Sequence, residues 1–187
     1  MNDTLLTIAR RFSCRDFIDK PICESDLLTI CKSALASPSG MNRQNWQIVL
    51  IENKVIIKEM EDEGLKNLQS YHDKTLYNRI MGRGGKLFYN APCMIIIAIK
   101  ERFPKGAELI DLGIVSQNIS LAATSMGIDN CHCGFAAFCF AGTKGTEFKQ
   151  KLQFFDGYEC GLGVLLGYAR ESKKPHDLNL EKLTIIN

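Results

Sequence analysis

The sequence has little net charge and no long apolar run, and these two absences limit what the protein can bind. Its 187 residues carry 23 Lys and Arg against 21 Asp and Glu, a formal net charge of +2. That charge is too small to favour nucleic acid or an anionic membrane as a partner. No stretch approaches the ~18 apolar residues that a membrane-spanning helix needs. The first residues also lack the basic and then apolar pattern of a secretory signal. We therefore expect a cytoplasmic protein that binds neither nucleic acid nor membrane.

The chain has only three histidines, and its possible metal ligands lack the spacing of a metal site. Cys131, His132 and Cys133 stand together, but zinc sites usually combine two ligand pairs such as Cys-x2-Cys, and no second pair lies at a usable distance. Side chains alternate along a strand, which would point His132 away from both cysteines. The spacing of an iron–sulfur site is missing as well. We expect no bound metal.

Cysteine, by contrast, is plentiful. The eight cysteines are scattered, and most lie inside apolar helix or strand patterns, where cysteine behaves as a small hydrophobic residue. Scattered cysteines in a protein expected to be cytoplasmic are typical of reduced thiols rather than of a disulfide framework.

The periodicity of apolar residues predicts five helices and four strands within one domain spanning 1–187. Hydrophobic residues make up 45% of the chain and charged residues 24%, which is typical of globular proteins. The run at 93–99 is continuously apolar and predicts a central strand covered on both faces. We expect an α+β fold in which helices flank both faces of a small sheet. The predicted helices cover 3–10, 25–36, 52–68, 108–125 and 143–152, and the predicted strands cover 46–51, 93–99, 128–134 and 161–168.

Residues 69–90 show no clear period and end in the basic, glycine-rich run at 82–86. That run lacks the G-x4-G-K-[ST] pattern of a phosphate-binding P-loop. Two interpretations stay open. The segment is either a flexible loop or a lid over a cofactor or substrate, and the aromatic and basic residues of a lid would meet the substrate.

Two polar clusters stand out near the front of the chain. Arg11, Ser13 and Arg15 bring two guanidinium groups and a hydroxyl within five residues, which suits an anion such as phosphate, although a solvated arginine pair is the alternative. The loop at 37–46 follows a helix that Pro38 ends. In that loop we expect Gly40 to take backbone angles that other residues resist. The loop presents the amides of Asn42 and Gln44 ahead of a strand.

Five segments follow one another along nearly the whole chain in a fixed order. They are Arg-x-Ser-x-Arg-x-Phe at 11–17, Ser-Pro-Ser-x-x-Asn-x-Gln-x-Trp at 37–46, Ala-Pro at 91–92, Asp-x-Gly-x-x-x-Gln-Asn-x-x-Leu-Ala-Ala at 111–123 and Gly-x-x-x-Gly-Tyr at 163–168. Together they resemble the signature of the nitroreductase family of FMN-dependent oxidoreductases. The resemblance implies a nitroreductase-like fold with a small central mixed β-sheet, and an intertwined homodimer with two FMN molecules at its interface, each held by both chains.

The resemblance also implies a site for the FMN phosphate. Arg11 and Ser13 would bind it from the amino-terminal side. On the carboxy-terminal side the family places basic residues after the Gly-Tyr strand, and the candidates are Arg170, Lys173 and Lys174. For each of these three, a solvated surface charge is the alternative.

Around the flavin ring, the resemblance places Arg15 at the pyrimidine edge, near N1 and O2. A fixed cation there would stabilise the reduced flavin, which carries negative charge at N1. Asn42 would bind the ring edge, with Gln44 beside it. The backbone N–H groups near Cys133 and Gly134 would face O4 and N5, and glycine suits such a close backbone approach.

Two positions depart from the family pattern. Phe12 stands where a second basic or small polar residue is usual, and Asn45 replaces the usual proline before Trp46. Neither touches the inferred chemistry, but Phe12 belongs to the expected cofactor-binding set because it would alter the wall of the phosphate pocket.

The resemblance implies that the chemistry occurs at FMN N5, with no catalytic side chain. NAD(P)H would transfer hydride and leave, and a small electron-poor aromatic acceptor, such as a nitroaromatic or a quinone, would then receive two electrons in a ping-pong sequence. No Ser-His-Asp or Cys-His arrangement in the chain calls for a protein nucleophile. Two alternatives stay open: a protein that stores or senses FMN without efficient turnover, and a related enzyme of different reaction, such as dehalogenation or flavin fragmentation.

Two apolar segments fit the expected dimer. The helix at 108–125 has a wide apolar surface that suggests burial on two sides, one of them against a partner subunit. The tail from 170 begins basic and ends apolar, and we expect it to be buried.

Overall fold

The structure, a computed structural model, describes residues 2–101 and 106–186. In these residues the chain forms six α-helices, five β-strands and three short 3-10 segments. The α-helices are α1 (Asp3–Arg10), α2 (Glu24–Leu35), α3 (Lys54–Ser70), α4 (Thr75–Met81), α5 (Ala107–Ser125) and α6 (Gly145–Lys151), the strands are β1 (Phe17–Ile18), β2 (Trp46–Ile51), β3 (Cys93–Ile99), β4 (Asp129–Cys133) and β5 (Glu159–Ala169), and the 3-10 segments are Gly40–Asn42, Gly134–Phe140 and Leu180–Lys182.

The strands form one sheet around β5. Strand β5 pairs with β3 along one edge and with β4 along the other, β2 extends the sheet beyond β3, and the short β1 pairs with the end of β5. All four of these ladders are antiparallel. Among the described residues, parallel pairing is limited to a single bridge between Ser13 and Asn130. The sheet is therefore antiparallel rather than mixed, because the chain returns through neighbouring strands in opposite directions.

Strand β3 has an apolar core on each of its faces, as its continuous apolar run predicts. Side chains alternate along a strand. Ile95 and Ile97 enter the core formed with α2 and α5, whereas Met94 and Ile96 enter the core formed with α3 and the segment Gly134–Phe140. All four are fully buried. The predicted central strand with helices on both sides is confirmed.

Residues 69–90 contain a helix that the sequence pattern did not reveal. Helix α4 spans Thr75–Met81, with the single buried residue Ile80. Near the end of the segment, Leu87 and Phe88 pack into the core and are 0% and 1% exposed. A helix of two turns that buries one side chain leaves too few apolar positions for a period to be recognised.

The glycines of the Gly163 and Gly167 pattern allow close packing across β5. A Cβ at Gly167 would lie 2.7 Å from Phe17 Cδ1 and 2.8 Å from Pro92 Cδ. A Cβ at Gly163 would lie 2.9 Å from Ala136 Cβ. All three distances are shorter than a methyl group tolerates, so these two positions require glycine for lack of space.

The apolar tail is exposed within one chain, so its expected burial against a partner subunit stays a prediction. Leu178 is 80% exposed, Leu183 is 64% exposed and Ile186 is 92% exposed. On α5, the residues Leu109 and Ile110 are also exposed, at 59% and 67%. The remaining apolar side of α5 packs on α2 and on the sheet of its own chain.

None of the helices in residues 2–101 and 106–186 has both the length and the apolar character needed to cross a membrane. All eight cysteines are free.

Candidate functional site

The basic cluster at 11–15 lies where the chain leaves α1 and meets β4. The Arg11 backbone N–H caps α1 by donating to the Thr7 carbonyl at 3.2 Å. The Arg11 guanidinium Nη1 lies 3.5 Å from Ser13 Oγ. The two side chains that the sequence assigns to a phosphate are therefore adjacent, and both are half-buried.

A buried asparagine holds this cluster in place. The Cys14 N–H donates to the Asn130 carbonyl at 2.9 Å, beside the bridge from Ser13 to Asn130. The Asn130 side chain donates to the Ser120 carbonyl at 3.1 Å and to Thr124 Oγ1 at 3.0 Å. Asn130 thus links the basic cluster to the carboxy-terminal half of α5. The role of Asn130 is not evident from the sequence, because nothing in the local pattern distinguishes a buried asparagine from an exposed one.

Arg170 reaches the basic cluster but is already paired there. Its backbone N–H donates to the Asp16 carbonyl at 3.0 Å, and its Nε lies 3.1 Å from Asp16 Oδ2. Both side chains are more than half exposed. Solvent-exposed pairs contribute only about 0–1 kcal/mol, so this pair is easily exchanged for another anion.

Lys173 and Lys174 differ in where they lie. Lys173 lines a small cleft of about 130 Å³ together with Phe12 and Arg15. Lys174 instead pairs with Asp177 at 2.8 Å, and both of these side chains are more than 80% exposed. The structure therefore brings Lys173 to the cluster and leaves Lys174 in a local surface pair.

Arg15 also lines a larger cleft of about 410 Å³. Tyr89 and Phe135 form part of its wall. Burial raises the pKa of the Tyr89 phenol, and a hydrogen bond with the Arg15 guanidinium partly opposes that rise. The Tyr89 phenol therefore stays neutral, and its oxygen accepts the hydrogen bond from the Arg15 guanidinium.

The end of β4 combines a buried thiol with an open backbone position. Cys133 is 3% exposed, and its Sγ donates to the Leu87 carbonyl at 3.6 Å. Gly134 is exposed, and a Cβ placed there would meet nothing within 4 Å. Its backbone is thus accessible to a planar ligand, as the sequence predicts for this position.

The amide loop is a tight turn with unusual backbone angles. Gln44 Nε2 donates to Asn42 Oδ1 at 2.8 Å, and the Gln44 N–H donates to Ser39 Oγ at 2.9 Å. Met41, Asn42 and Gln44 have φ of 58°, 53° and 49°. The left-handed angles expected at Gly40 thus fall on three residues that resist them. Such strain is typical of functional loops.

One chain does not bring the amide loop and the basic cluster together. The Gly40 N–H of the loop donates to Asp111 Oδ1 at 3.3 Å, near the start of α5. Asn130 holds the basic cluster against Ser120, nine residues further along that helix. At 1.5 Å per residue, this corresponds to about 14 Å along the helix axis. The register of the sheet agrees, because Trp46, which follows the loop, pairs with Ile99 at the end of β3 that faces away from Asn130.

The buried thiols are unsuited to nucleophilic chemistry at neutral pH. Burial raises the pKa of Cys14 to about 11 and that of Cys133 to about 12, and a thiol reacts as its thiolate. Burial lowers the pKa of His132, whose Nε2 lies 3.1 Å from the Ser116 carbonyl oxygen. Within the described part of the chain, no group of three or more His, Cys, Asp or Glu side chains is arranged to hold a metal ion.

The sequence profile of the Nitroreductase family matches residues 8–168. That range includes the basic cluster, the amide loop, and Gly163 and Gly167 of β5. It ends before the basic residues of the tail.

Solved structures are similar along the whole chain. A nitroreductase with bound FMN from Desulfitobacterium hafniense DCB-2 is 46% identical, with a TM-score of 0.95 and 100% of each chain covered. A nitroreductase with bound FMN from Bacteroides fragilis NCTC 9343 is 25% identical, with a TM-score of 0.90 and 100% of each chain covered. Among characterised sequences, an FMN reductase (NADPH) from Bacillus subtilis strain 168 is 28% identical over 138 residues, which are 72% of this chain and 55% of that protein.

Proposed function

Because the chain belongs to the nitroreductase family, we propose that it is an FMN-dependent oxidoreductase that takes electrons from NAD(P)H and passes them to electron-poor aromatic acceptors. The observation that carries this proposal is the basic cluster after α1, where Arg11 Nη1 lies 3.5 Å from Ser13 Oγ and where Arg15 and Lys173 line one cleft. The similar nitroreductases with bound FMN support the choice of cofactor. We propose that residues 1–187 act as a single FMN-binding domain.

The phosphate of FMN would lie on Arg11, Ser13 and Lys173. Guanidinium and ammonium groups make charge-assisted hydrogen bonds to phosphate oxygens, and the hydroxyl adds a neutral donor. Arg170 would join them only by exchanging Asp16 for the phosphate, which costs little because that pair is exposed. We leave Lys174 out of this set because, unlike Lys173, it lines neither of the clefts beside Arg15.

The flavin ring would lie between Arg15 and the open backbone at Gly134. Arg15 would donate to N1 and O2 at the pyrimidine edge, and the backbone N–H groups near Cys133 and Gly134 would reach O4 and N5. Bound FMN supplies the hydride-accepting chemistry at N5. These residues would hold the ring and keep a cation beside its pyrimidine edge, and we propose that donor and acceptor then reach the flavin in turn, in a ping-pong sequence.

The active protein would be a homodimer in which the amide loop serves the partner's flavin. Asn42 and Gln44 lie about 14 Å or more along α5 from the basic cluster of their own chain. A second copy is the simplest source of amides for the same ligand. The exposed apolar tail and the exposed end of α5 support this proposal, because large apolar patches usually mark interfaces.

We also propose a cytoplasmic location. All eight cysteines are free, and unpaired cysteines in this number are typical of a reducing compartment.

The test is the colour and redox response of the purified protein. We expect FMN to bind and its visible absorbance to bleach when NADH or NADPH is added under anaerobic conditions. The double variant Arg11→Ala, Ser13→Ala should lose the flavin, because each charge-assisted hydrogen bond contributes roughly 1.5–3 kcal/mol. Arg10→Ala is the matched control, since Arg10 is an exposed neighbour outside the cluster.

Three results would contradict the proposal in different ways. A preparation that stays colourless and monomeric with excess FMN would show that the proposed flavin site is wrong. Retention of FMN by the double variant would show that Arg11 and Ser13 do not hold the phosphate. Stoichiometric FMN that neither NADH nor NADPH reduces would favour a protein that stores or senses the cofactor.

A further inference from the structure

The 410 Å³ cleft beside Arg15 is lined on one side by cations. Besides Arg15, its lining includes Arg79 of α4, Arg83 and Lys86. No Asp or Glu of residues 2–101 and 106–186 lines it. A cleft whose charged groups all have one sign concentrates ligands of the opposite sign.

Three of the four cations form no ion pair among the described residues, although Lys86 also lines a second cleft that contains Asp19 and Glu61. In the parts of the chain that the structure describes, Arg79, Arg83 and Lys86 form no ion pair, whereas Arg170 and Lys174 each have a carboxylate partner. The contrast matters because exposed cations are usually paired or dispersed. A group of unpaired cations around a concave surface favours an anion.

The remaining wall of the cleft suits an aromatic ring. Leu76, Ile80 and Phe135 provide apolar surface, and Tyr89 adds a second aromatic side. Tyr89 and Asn90 have φ of 53° and 61°, and the Tyr89 carbonyl accepts a hydrogen bond from the Phe17 N–H at 3.1 Å. Two consecutive residues held in left-handed angles indicate a position that the surrounding structure enforces.

We propose that this cleft selects aromatic acceptors that carry a carboxylate close to the ring. The ring would contact Phe135, and the carboxylate would bind Arg79 and Arg83, with Lys86 nearby. The cleft volume lies within the range of small-molecule sites, about 300–1,000 Å³. This proposal rests on the function proposed above, because Arg15 places the cleft at the edge of the expected flavin.

The presence of apolar residues and cations in the same cleft favours this ligand class over the electron donor. The apolar residues and the cations line one cleft, so a ligand that contacts both needs its ring and its anionic group close together. An aromatic carboxylate meets this requirement. In NADH and NADPH a ribose separates the nicotinamide ring from the phosphates.

The test compares benzoate with benzamide, which has nearly the same shape but no charge. Binding to the FMN-loaded protein is measured by calorimetry, and we expect benzoate to bind about ten-fold more tightly. Arg79→Gln with Arg83→Gln should abolish this preference. Arg10→Gln is the matched control and should keep it, and the charge-conserving Arg79→Lys should keep most of it. Catalytic efficiency with 4-nitrobenzoate relative to nitrobenzene should fall by a similar factor in the double variant.

Several outcomes would overturn the proposal. Equal affinity for the two probes in the unmodified protein would do so, as would a preference that survives in the double variant. Loss of FMN from the double variant would assign the arginines to the cofactor, and a rise in KM for NADPH alone would assign them to the donor. Because calorimetry detects benzoate whether or not NAD(P)H reduces the flavin, failure of this proposal and failure of the proposed function are distinguishable.

Discussion

Replacement of Asn130 by leucine tests how the loop that carries Ser13 and Arg15 is held. The Asn130 side chain is 1% exposed. Its Nδ2 donates to the Ser120 carbonyl at 3.1 Å and to Thr124 Oγ1 at 3.0 Å, and its Oδ1 accepts from the Ser120 hydroxyl. Leucine has the same number and branching of side-chain heavy atoms but makes none of these hydrogen bonds.

The expected loss of stability follows from the number of these hydrogen bonds. A net contribution of about 1 kcal/mol for each bond predicts a loss of about 3 kcal/mol in the free energy of unfolding, because the groups on Ser120 remain buried with fewer partners. For a chain of this length, 1 kcal/mol shifts the thermal midpoint by about 2–4 °C, so the variant should melt about 6–12 °C lower.

The assay is thermal unfolding followed by circular dichroism, with and without FMN. Asn78→Leu is the control, since it makes the same chemical change at an exposed position of α4. It should alter stability by less than about 1 kcal/mol. A loss of under about 1 kcal/mol for Asn130→Leu would refute the reasoning, because the buried groups would then have found other partners.

The same variant connects stability to cofactor binding. FMN raises the thermal midpoint because it binds the folded chain in preference to the unfolded chain, and tighter binding gives a larger increase. If Asn130 orders the loop that carries Ser13, the increase caused by FMN should be smaller in the variant than in the parent protein. An undiminished increase would separate the buried hydrogen bonds from the proposed phosphate site.

Three further predictions concern thiols and glycines. Burial raises the pKa of Cys93 and of Cys133 to about 12, so the folded chain keeps both thiols protonated while the unfolded chain ionises above pH 9. Their contribution to stability is complete below about pH 9 and is lost as pH rises towards 12. By about pH 10 the free energy of unfolding should have fallen by about 3 kcal/mol. In the variant Cys93→Ala, Cys133→Ala, urea unfolding should not show this part of the fall. Cys23 is exposed, and its pKa is lowered mainly by a hydrogen bond with a serine side chain, so it should react first with a thiol reagent; a fast phase that survives Cys23→Ser would contradict this. Gly167→Ala should destabilise the fold by about 1–3 kcal/mol through overpacking, whereas Gly134→Ala should leave the melting midpoint unchanged and weaken FMN binding, as measured by flavin titration.

Local patterns in the sequence were sufficient for most of the elements. The predicted helices and strands agree with the structure to within a few residues at most ends. The reason is that the helix period of 3.6 residues and the strand period of 2 depend only on residues close together in the sequence. The continuous apolar run of β3 was enough to predict cover on both faces. The ordered segments from Arg11 to Tyr168 were enough to indicate the family and its nitroreductase-like fold, both of which the comparisons confirm.

Elements that depend on distant partners were missed. Strand β1 has two residues, too few to alternate, and exists because β5 offers it an edge. Helix α4 buries a single side chain. The left-handed angles of the amide loop were expected at Gly40 but occur at its neighbours, because hydrogen bonds such as that from the Gln44 N–H to Ser39 decide the turn.

The sequence by itself determined which chemical groups this protein carries, in what order, and on which kinds of element. Only the tertiary structure decided which of them meet. It paired Arg170 with Asp16 and Lys174 with Asp177, left Lys173 beside Arg15, and separated the amide loop from the basic cluster along α5. The reason is physical: helix and strand periods are local, whereas the partner of an exposed charge depends on how the completed elements pack.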